Sequence, residues 1–452
     1  MKKILDQACA YATDYLQNIQ SRSVAPDADA VAAVARFEEP LPESACDDAQ
    51  LLSLLDEIGS PATMGMAGPR FFGFVIGGAL PVTVAANWLA TAWDQNTAIF
   101  EITPATSKLE QVALSWLVQL LGLPETTAGA FVTGATVANF TALAAARHRV
   151  LKNAGWDVEA DGLIGAPQIA VITGEEAHPT LYKSLGMLGL GRNRVIRVPV
   201  DGQGRMRATA LPSISGPAII CTQAGNINSG AFDPFEDICD YAAHNGAWVH
   251  VDGAFGIWAA AIPSLAGQTA GMNKANSWAT DAHKLLNVPY DSGIALVNDG
   301  AALHGAMSIT AEYLPFGDTE RNPGEFTPEL SRRARGVEVW AALKSLGREG
   351  LEQMVETTCE HARRFAEGLG VAGYEILNEV VYNQVLVSFG DAKTTDRVIA
   401  AIQEDGTCWC GGTVWRGRTA MRISVCSWAT TRQDVELSLE AMLSCAAKVM
   451  KK

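Results

Sequence analysis

Apolar and polar residues follow three different rhythms along this chain. Over residues 1–60 the apolar positions recur at helical spacing in short runs separated by Pro-containing connectors. One stripe carries Leu51, Leu52, Leu54, Leu55 and Ile58, and Ser44-Ala45-Cys46-Asp47 before it reads as a capping box, in which a hydroxyl and an acid three residues on satisfy backbone N–H groups reciprocally. Between 65 and 104 Gly, Phe and Trp dominate, as in Arg70-Phe71-Phe72-Gly73-Phe74 and then Trp88, Trp93 and Phe100. Ser107-Lys108-Leu109-Glu110 is a second capping-box match. It predicts a helix faced by Val112, Leu114, Trp116, Leu117 and Leu120 that stops at Gly122 and Pro124.

From 131 to 251 short runs rich in Val and Ile alternate with helical patterns. Strands are predicted at 131–133, 169–172, 195–198, 218–221 and 248–251, and helices at 139–150, at 180–190 and from Asp233-Pro234 to Asn245-Gly246. Apolar strand runs interleaved with helices predict the α/β class, a mostly parallel sheet covered by helices. Past 350 the helices carry more charge and strands are fewer, with 386–389 and 421–425 the clearest. The chain therefore divides into an N-terminal helical segment (1–64), expected to wrap the main domain or another subunit, a large domain (65–350) and a small C-terminal α+β domain (351–452).

Composition narrows the class. Of 452 residues, 48% are hydrophobic and 18% charged, which suits a large enzyme with a sizeable core and excludes a disordered or fibrous chain. A formal charge of −15 without any Lys/Arg run argues against a nucleic-acid partner. The nine cysteines are odd in number and show no metal-type pair-of-pairs spacing, so they read as reduced thiols and no metal is expected; Cys408-Trp409-Cys410 is the one spacing that also suits a metal or redox pair. Asp6 and Gln7 break any signal-like apolar run, and the apolar stretch 79–93 contains Pro81 and Asn87 and is too short to cross a bilayer. The expectation is a soluble, cytoplasmic protein with no membrane partner.

Candidate chemistry is sought where ligands gather in this architecture, past the carboxyl ends of the strands. Lys284 follows His283 and is flanked by Leu285, Leu286 and Val288. Desolvation lowers an ammonium pKa and frees the amine to attack a carbonyl, although lysines near apolar residues commonly snorkel to water. Thr133-Gly134-Ala135-Thr136 is a small-residue turn at the start of a long helix, where backbone N–H groups make a phosphate seat; no Gly-Lys-Ser/Thr follows, so it is not a Walker A loop. Asp252 ends the strand 248–251 and either meets a cation or caps a loop. His178, in Glu175-Glu176-Ala177-His178-Pro179, falls just past the strand 169–172; alone, it reads more readily as a structural histidine than as a catalytic one. Together, a phosphate seat, a histidine, an acid for a ring nitrogen and a desolvated lysine match one ligand, pyridoxal 5′-phosphate. Its aldehyde condenses with lysine, its phosphate needs N–H donors, and a carboxylate keeps its pyridine nitrogen protonated.

On these residues the chain resembles the group II pyridoxal-phosphate-dependent amino-acid decarboxylases, of the aromatic-L-amino-acid and glutamate decarboxylase kind. The resemblance rests on 131–139, 175–179, Gly230-Ala231-Phe232-Asp233-Pro234, His250-Val251-Asp252-Gly253-Ala254 and Asp281-Ala282-His283-Lys284, with 415–418 and 421–425 in the small domain, and it covers nearly everything from about residue 65. It implies the fold-type I transferase fold, with a mostly parallel seven-stranded sheet in the large domain. It further implies a homodimer with the active site at the subunit interface, the N-terminal segment interlocking with the partner. Lys284 would be the lysine bonded to the cofactor, Asp252 the ring-nitrogen partner, and His178 the residue stacked on the ring and holding the substrate carboxylate. Ala135 and Thr136 would seat the phosphate, with His283 and Asp281 nearby, and Asn226, Asn228 and Ala254 would touch the cofactor.

The activity implied is α-decarboxylation of an L-amino acid to an amine and CO2. Phe71, Phe72, Phe74 and Trp93 favour an aromatic or bulky substrate, and Arg70 is the candidate clamp for an acidic one. One departure matters. Aromatic decarboxylases carry a loop tyrosine that protonates the carbanion, whereas the corresponding residues 316–332 contain none, and Tyr313 precedes them. Either Glu325, His178 or a loop of the partner returns the proton, or the chemistry diverts to an aldehyde synthase, retro-aldol lyase or aminotransferase outcome.

Overall fold

The computed structural model describes residues 1–309 and 320–451. The chain forms two compact units, the larger made of 79–360 with 378–384, the smaller of 1–78, 361–377 and 385–452.

In the larger unit seven strands, β1 (Ala128–Val132), β2 (Ala170–Gly174), β3 (Ile196–Val198), β4 (Ala218–Gln223), β5 (Trp248–Asp252), β6 (Ser277–Asp281) and β7 (Gly293–Val297), form one sheet in the order β1-β7-β6-β5-β4-β2-β3. Strands β3, β2, β4, β5 and β6 pair in parallel, and β7 runs antiparallel to both of its neighbours. This is the mostly parallel, seven-stranded α/β fold that the resemblance implied. Helix Ala135–Asn153 packs on the sheet through a face built largely of Ala138, Ala142, Ala145 and Ala146, all fully buried. Alanine favours the helix and lets its axis come close to the strands.

Two helix starts differ from the expected capping boxes. Helix Pro104–Leu120 begins at Pro104, with Thr103 as its N-cap, because proline's fixed φ and missing N–H suit the first helical position. Glu110 is therefore no cap partner: fully buried, its carboxylate lies 2.7 Å from Arg332 Nη1 and 3.2 Å from Arg321 Nη1. Arg332 also donates to the carbonyls of Thr97 and Phe131, so this cluster fastens the segment after residue 320 to β1. Helix Asp48–Leu54 is capped by Asp47, which accepts the N–H groups of Ala49 and Gln50, and not by Ser44. The apolar stretch after residue 79 forms helix Pro81–Trp93, and no helix among the described residues is long and apolar enough to cross a membrane.

The smaller unit carries a four-stranded sheet, β10-β11-β9-β8, from β8 (Glu375–Ile376), β9 (Gln384–Ser388), β10 (Gly411–Trp415) and β11 (Arg418–Ser424). The chain at Phe71 and Phe72 joins Trp409 as an extra bridge, and the rings of Phe71 and Phe74 stack on Trp409. Phe72 meets Phe365 edge-on. Arg70 donates to Gln20 O, Thr407 O and Asp434 Oδ1, all within this unit. These contacts tie the segment around Phe72 into the smaller unit.

Candidate active site

The carboxyl ends of β1, β5 and β6 and the start of β7 meet at one edge of the sheet, where Val132 and Asp281 both pair with Gly293. A Cβ on Gly293 would lie 2.4 Å from Gly134 Cα, so only glycine lets the turn after β1 close on β7. That closure delivers the start of helix Ala135–Asn153 to the side of Asp281. A cavity of about 200 Å³ opens here. Its wall brings together Ala135, Thr136, His178, Asp252, Ala254, Asp281, His283 and Lys284, which is eight of the ten residues singled out in the sequence. Asn226 and Asn228 stand outside the wall, and Ile227 between them lines it. The Asn226 carboxamide organises its own turn, accepting the N–H groups of Asn228 and Ser229 and donating to Glu176 Oε2.

Lys284 is not the lone desolvated amine that its neighbours suggested. Leu285, Leu286 and Val288 are buried and anchor the turn, while Lys284 Nζ lies 2.9 Å from Asp281 Oδ2. The other oxygen of Asp281 accepts the Ala135 N–H at 2.5 Å and lies 3.5 Å from His283 Nε2. One carboxylate thus joins the helix start, the lysine and the histidine. His283 Nδ1 accepts the Ser292 N–H at 3.1 Å, which leaves the proton of the neutral ring on Nε2, and burial holds this imidazole below its ordinary pKa. The ring stacks on Tyr290, centroids 4.1 Å apart. His178 caps helix Pro179–Met187; its Nδ1 accepts the Thr180 N–H at 3.3 Å and lies 2.7 Å from Thr180 Oγ1.

Asp252 is 5% exposed, and among the described residues it has no cation within salt-bridge distance. Burial raises its pKa; the charges of His178 and Lys284, the Ala254 N–H and the Asn139 side chain pull it back down. A buried carboxylate facing a cavity and lacking a direct cation suits a protonated nitrogen. With a primary amine in the same cavity and a helix start whose N-cap, Gly134, has no side chain of its own, the donor set fits pyridoxal phosphate.

Comparison with known proteins agrees. The pyridoxal-dependent decarboxylase conserved domain matches residues 34–390. An aromatic-L-amino-acid decarboxylase of Bacillus atrophaeus is 27% identical over 384 residues, covering 82% of this chain and 78% of that protein. An L-2,4-diaminobutyrate decarboxylase of Rhizobium meliloti is 29% identical over 429 residues, covering 89% and 83%. The crystal structure of Oryza sativa TDC with pyridoxal phosphate and tryptamine superposes with a TM-score of 0.90 at 21% identity, covering 99% of this chain and 98% of that one, a likeness of fold. The chain belongs to the pyridoxal-dependent decarboxylase family. It is a carboxy-lyase, and its cofactor is pyridoxal phosphate.

Proposed function

We propose that this enzyme removes the α-carboxylate of an L-amino acid as CO2 and releases the amine, with Lys284, Asp252 and His178 as its catalytic groups. The observation that carries the reading is the presence in one cavity of a primary amine, Lys284, and a buried carboxylate without a direct cation, Asp252. Pyridoxal phosphate supplies an aldehyde that condenses with amines and a protonated ring that takes up the electron pair left when CO2 departs. Lys284 would hold the cofactor through its amine. Asp252 accepts the ring N–H, keeping the proton where the electron pair is drawn. The start of helix Ala135–Asn153, with Ala135, Thr136 and the Nε2–H of His283, receives the phosphate.

The proton returned to the product carbon comes from His178. On taking up a second proton, Nδ1 turns from accepting the Thr180 N–H to donating to Thr180 Oγ1, 2.7 Å away, and the imidazolium can then give up its Nε2 proton and end as a neutral ring. Glu325, the other candidate in this chain, is paired with His304 at 3.1 Å and does not line the cavity. Tyr313 lies outside the described residues. For the substrate, Ile227 and Phe255 are the apolar part of the wall, and no arginine lines it among the described residues. Of its two carboxylates, Asp281 pairs with Lys284 and Asp252 would take the ring nitrogen. An apolar or aromatic side chain suits such a wall better than an acidic or a cationic one. The exposed Val82, Trp88, Leu89 and Trp93 of helix Pro81–Trp93 support a homodimer in which a second copy covers this face.

A panel of L-amino acids, scored together for CO2, amine, aldehyde and ammonia, tests the reading. Amine in equal measure with CO2 from an aromatic or apolar substrate is expected. Aldehyde with ammonia, or a requirement for a keto acid, overturns the proposed outcome.

A further inference from the structure

Behind Asp252 lies a chain of buried polar groups that do not line the cavity. Trp248, His250 and Asp252 alternate along β5, which puts all three on one face of the strand. Ser277 of β6 is the register partner of His250, and Asn139 comes from helix Ala135–Asn153. Trp248 Nε1 lies 2.8 Å from Ser277 Oγ, Ser277 Oγ 2.9 Å from His250 Nδ1, His250 Nε2 2.8 Å from Asn139 Oδ1, and Asn139 Nδ2 3.2 Å from Asp252 Oδ2. Ser277, His250 and Asn139 have no exposed surface.

We propose that Asn139 is a positioning residue for the reaction, locked by this chain so that it always offers an N–H to Asp252 and thereby holds that side chain as a carboxylate. The proposal rests on the assignment of Asp252 to the ring nitrogen.

The direction of every bond follows from the two ends. An indole N–H only donates, and an ionised carboxylate only accepts. Asn139 must therefore turn its Nδ2 to Asp252 and its Oδ1 to His250. His250 must then carry its proton on Nε2, and its bare Nδ1 takes the hydroxyl proton of Ser277, whose oxygen accepts from Trp248. Desolvation lowers the His250 pKa to about 3, which keeps the ring neutral, as the scheme requires. Protonating Asp252 on Oδ2 breaks the pattern. Asn139 would have to flip, His250 would have to move its proton to Nδ1, and Ser277, then accepting from both Trp248 and His250, would keep a hydroxyl proton with no acceptor in the chain. An unmet buried donor is costly, so the relay opposes a proton on Oδ2, while Oδ1 already accepts the Ala254 N–H at 3.2 Å.

The test combines variants with a measurement that needs none. Nitrogen-15 NMR of the histidines in the cofactor-free protein should show His250 as the Nε2–H tautomer. Asn139→Leu and His250→Leu should bind pyridoxal phosphate about tenfold to a hundredfold more weakly, the effect of one hydrogen bond to a charged group. In both, the pH titration of bound-cofactor absorbance should shift, whereas His250→Gln, which can still donate to Asn139, should restore wild-type binding and titration. Circular dichroism checks that each variant folds. An Nδ1–H tautomer overturns the relay, as do folded leucine variants with wild-type affinity and titration. Asp252→Ala separates the two levels: weak binding there with unchanged Asn139→Leu refutes the relay alone, while wild-type behaviour of Asp252→Ala refutes the assignment of Asp252 itself.

Discussion

The neutral state of His250 has a consequence for stability that can be measured without cofactor. Its folded pKa is lowered by burial to about 3, against an ordinary value of 6.5. Between these two values the unfolded chain binds a proton that the folded chain refuses, so stability falls as the pH drops from 6.5 towards 3. At about 1.4 kcal/mol per pH unit, roughly 3 kcal/mol is lost by pH 4.5. The wild-type curve alone would hide much of this. Asp233, fully within the protein and accepting the N–H groups of Met206 and Gln223, has its pKa raised by burial to about 6 from an ordinary 3.8. There the folded chain takes the proton first, so stability rises as the pH falls through that window, by about 3 kcal/mol in all. The two contributions oppose each other between pH 6 and 4.

Replacing His250 by Gln removes one of them and leaves the other. Urea unfolding of the cofactor-free wild type and His250→Gln at pH 7, 6, 5 and 4.5 is the assay. Whatever the offset at pH 7, the variant should gain on the wild type by about 3 kcal/mol on going to pH 4.5. An offset that stays constant within about 0.5 kcal/mol would mean that His250 does not resist protonation, and the donor chain behind Asp252 would lose its premise.

Two further substitutions probe other links. Lys284→Ala should abolish turnover and the covalent capture of the cofactor while leaving the fold intact, because among the described residues the amine's one ion pair is with Asp281; borohydride treatment followed by peptide mass analysis should label Lys284 in the wild type and nothing in the variant. Glu110→Ala should cost about 3–5 kcal/mol, since it leaves the fully buried Arg332 without its counter-ion, and thermal and urea unfolding would report it. A loss below about 1 kcal/mol would show that Arg332 is satisfied by its carbonyl partners alone.

The sequence revealed what is repeated locally and hid what is satisfied at long range. Five of the seven large-unit strands were visible as apolar runs; β4 and β5 are buried at every position, as parallel strands inside a sheet are, whereas β3 is exposed at two of its three. Strand β6 is also wholly buried, yet Ser277-Trp278-Ala279-Thr280-Asp281 has no apolar run to notice. Its polar ends are met by residues distant in the chain, Ser277 by Trp248 and Asp281 by Ala135. Glu110 misled in the same way: a Ser-x-x-Glu pattern suggested a cap, while the carboxylate's partner Arg332 is 222 residues away. The sequence argument for Lys284 was incomplete, since its apolar neighbours anchor the turn and Asp281 holds the amine.

Asn139 marks the point where closer reading of the pattern would have gone further. On β5 the polar or amphipathic residues Trp248, His250 and Asp252 alternate with Val249 and Val251, within a strand too central and too apolar to face water. Polar groups at period two on a buried strand require partners on the element that covers that face, because each unmet one costs about 1–3 kcal/mol. The covering helix, which opens after Gly134, buries mostly alanines and other small or apolar residues, and its single buried carboxamide, Asn139, meets that demand. The same demand explains why the polar chain ends at Asp252: of its members, only that carboxylate lines the cavity, where a ligand can complete it.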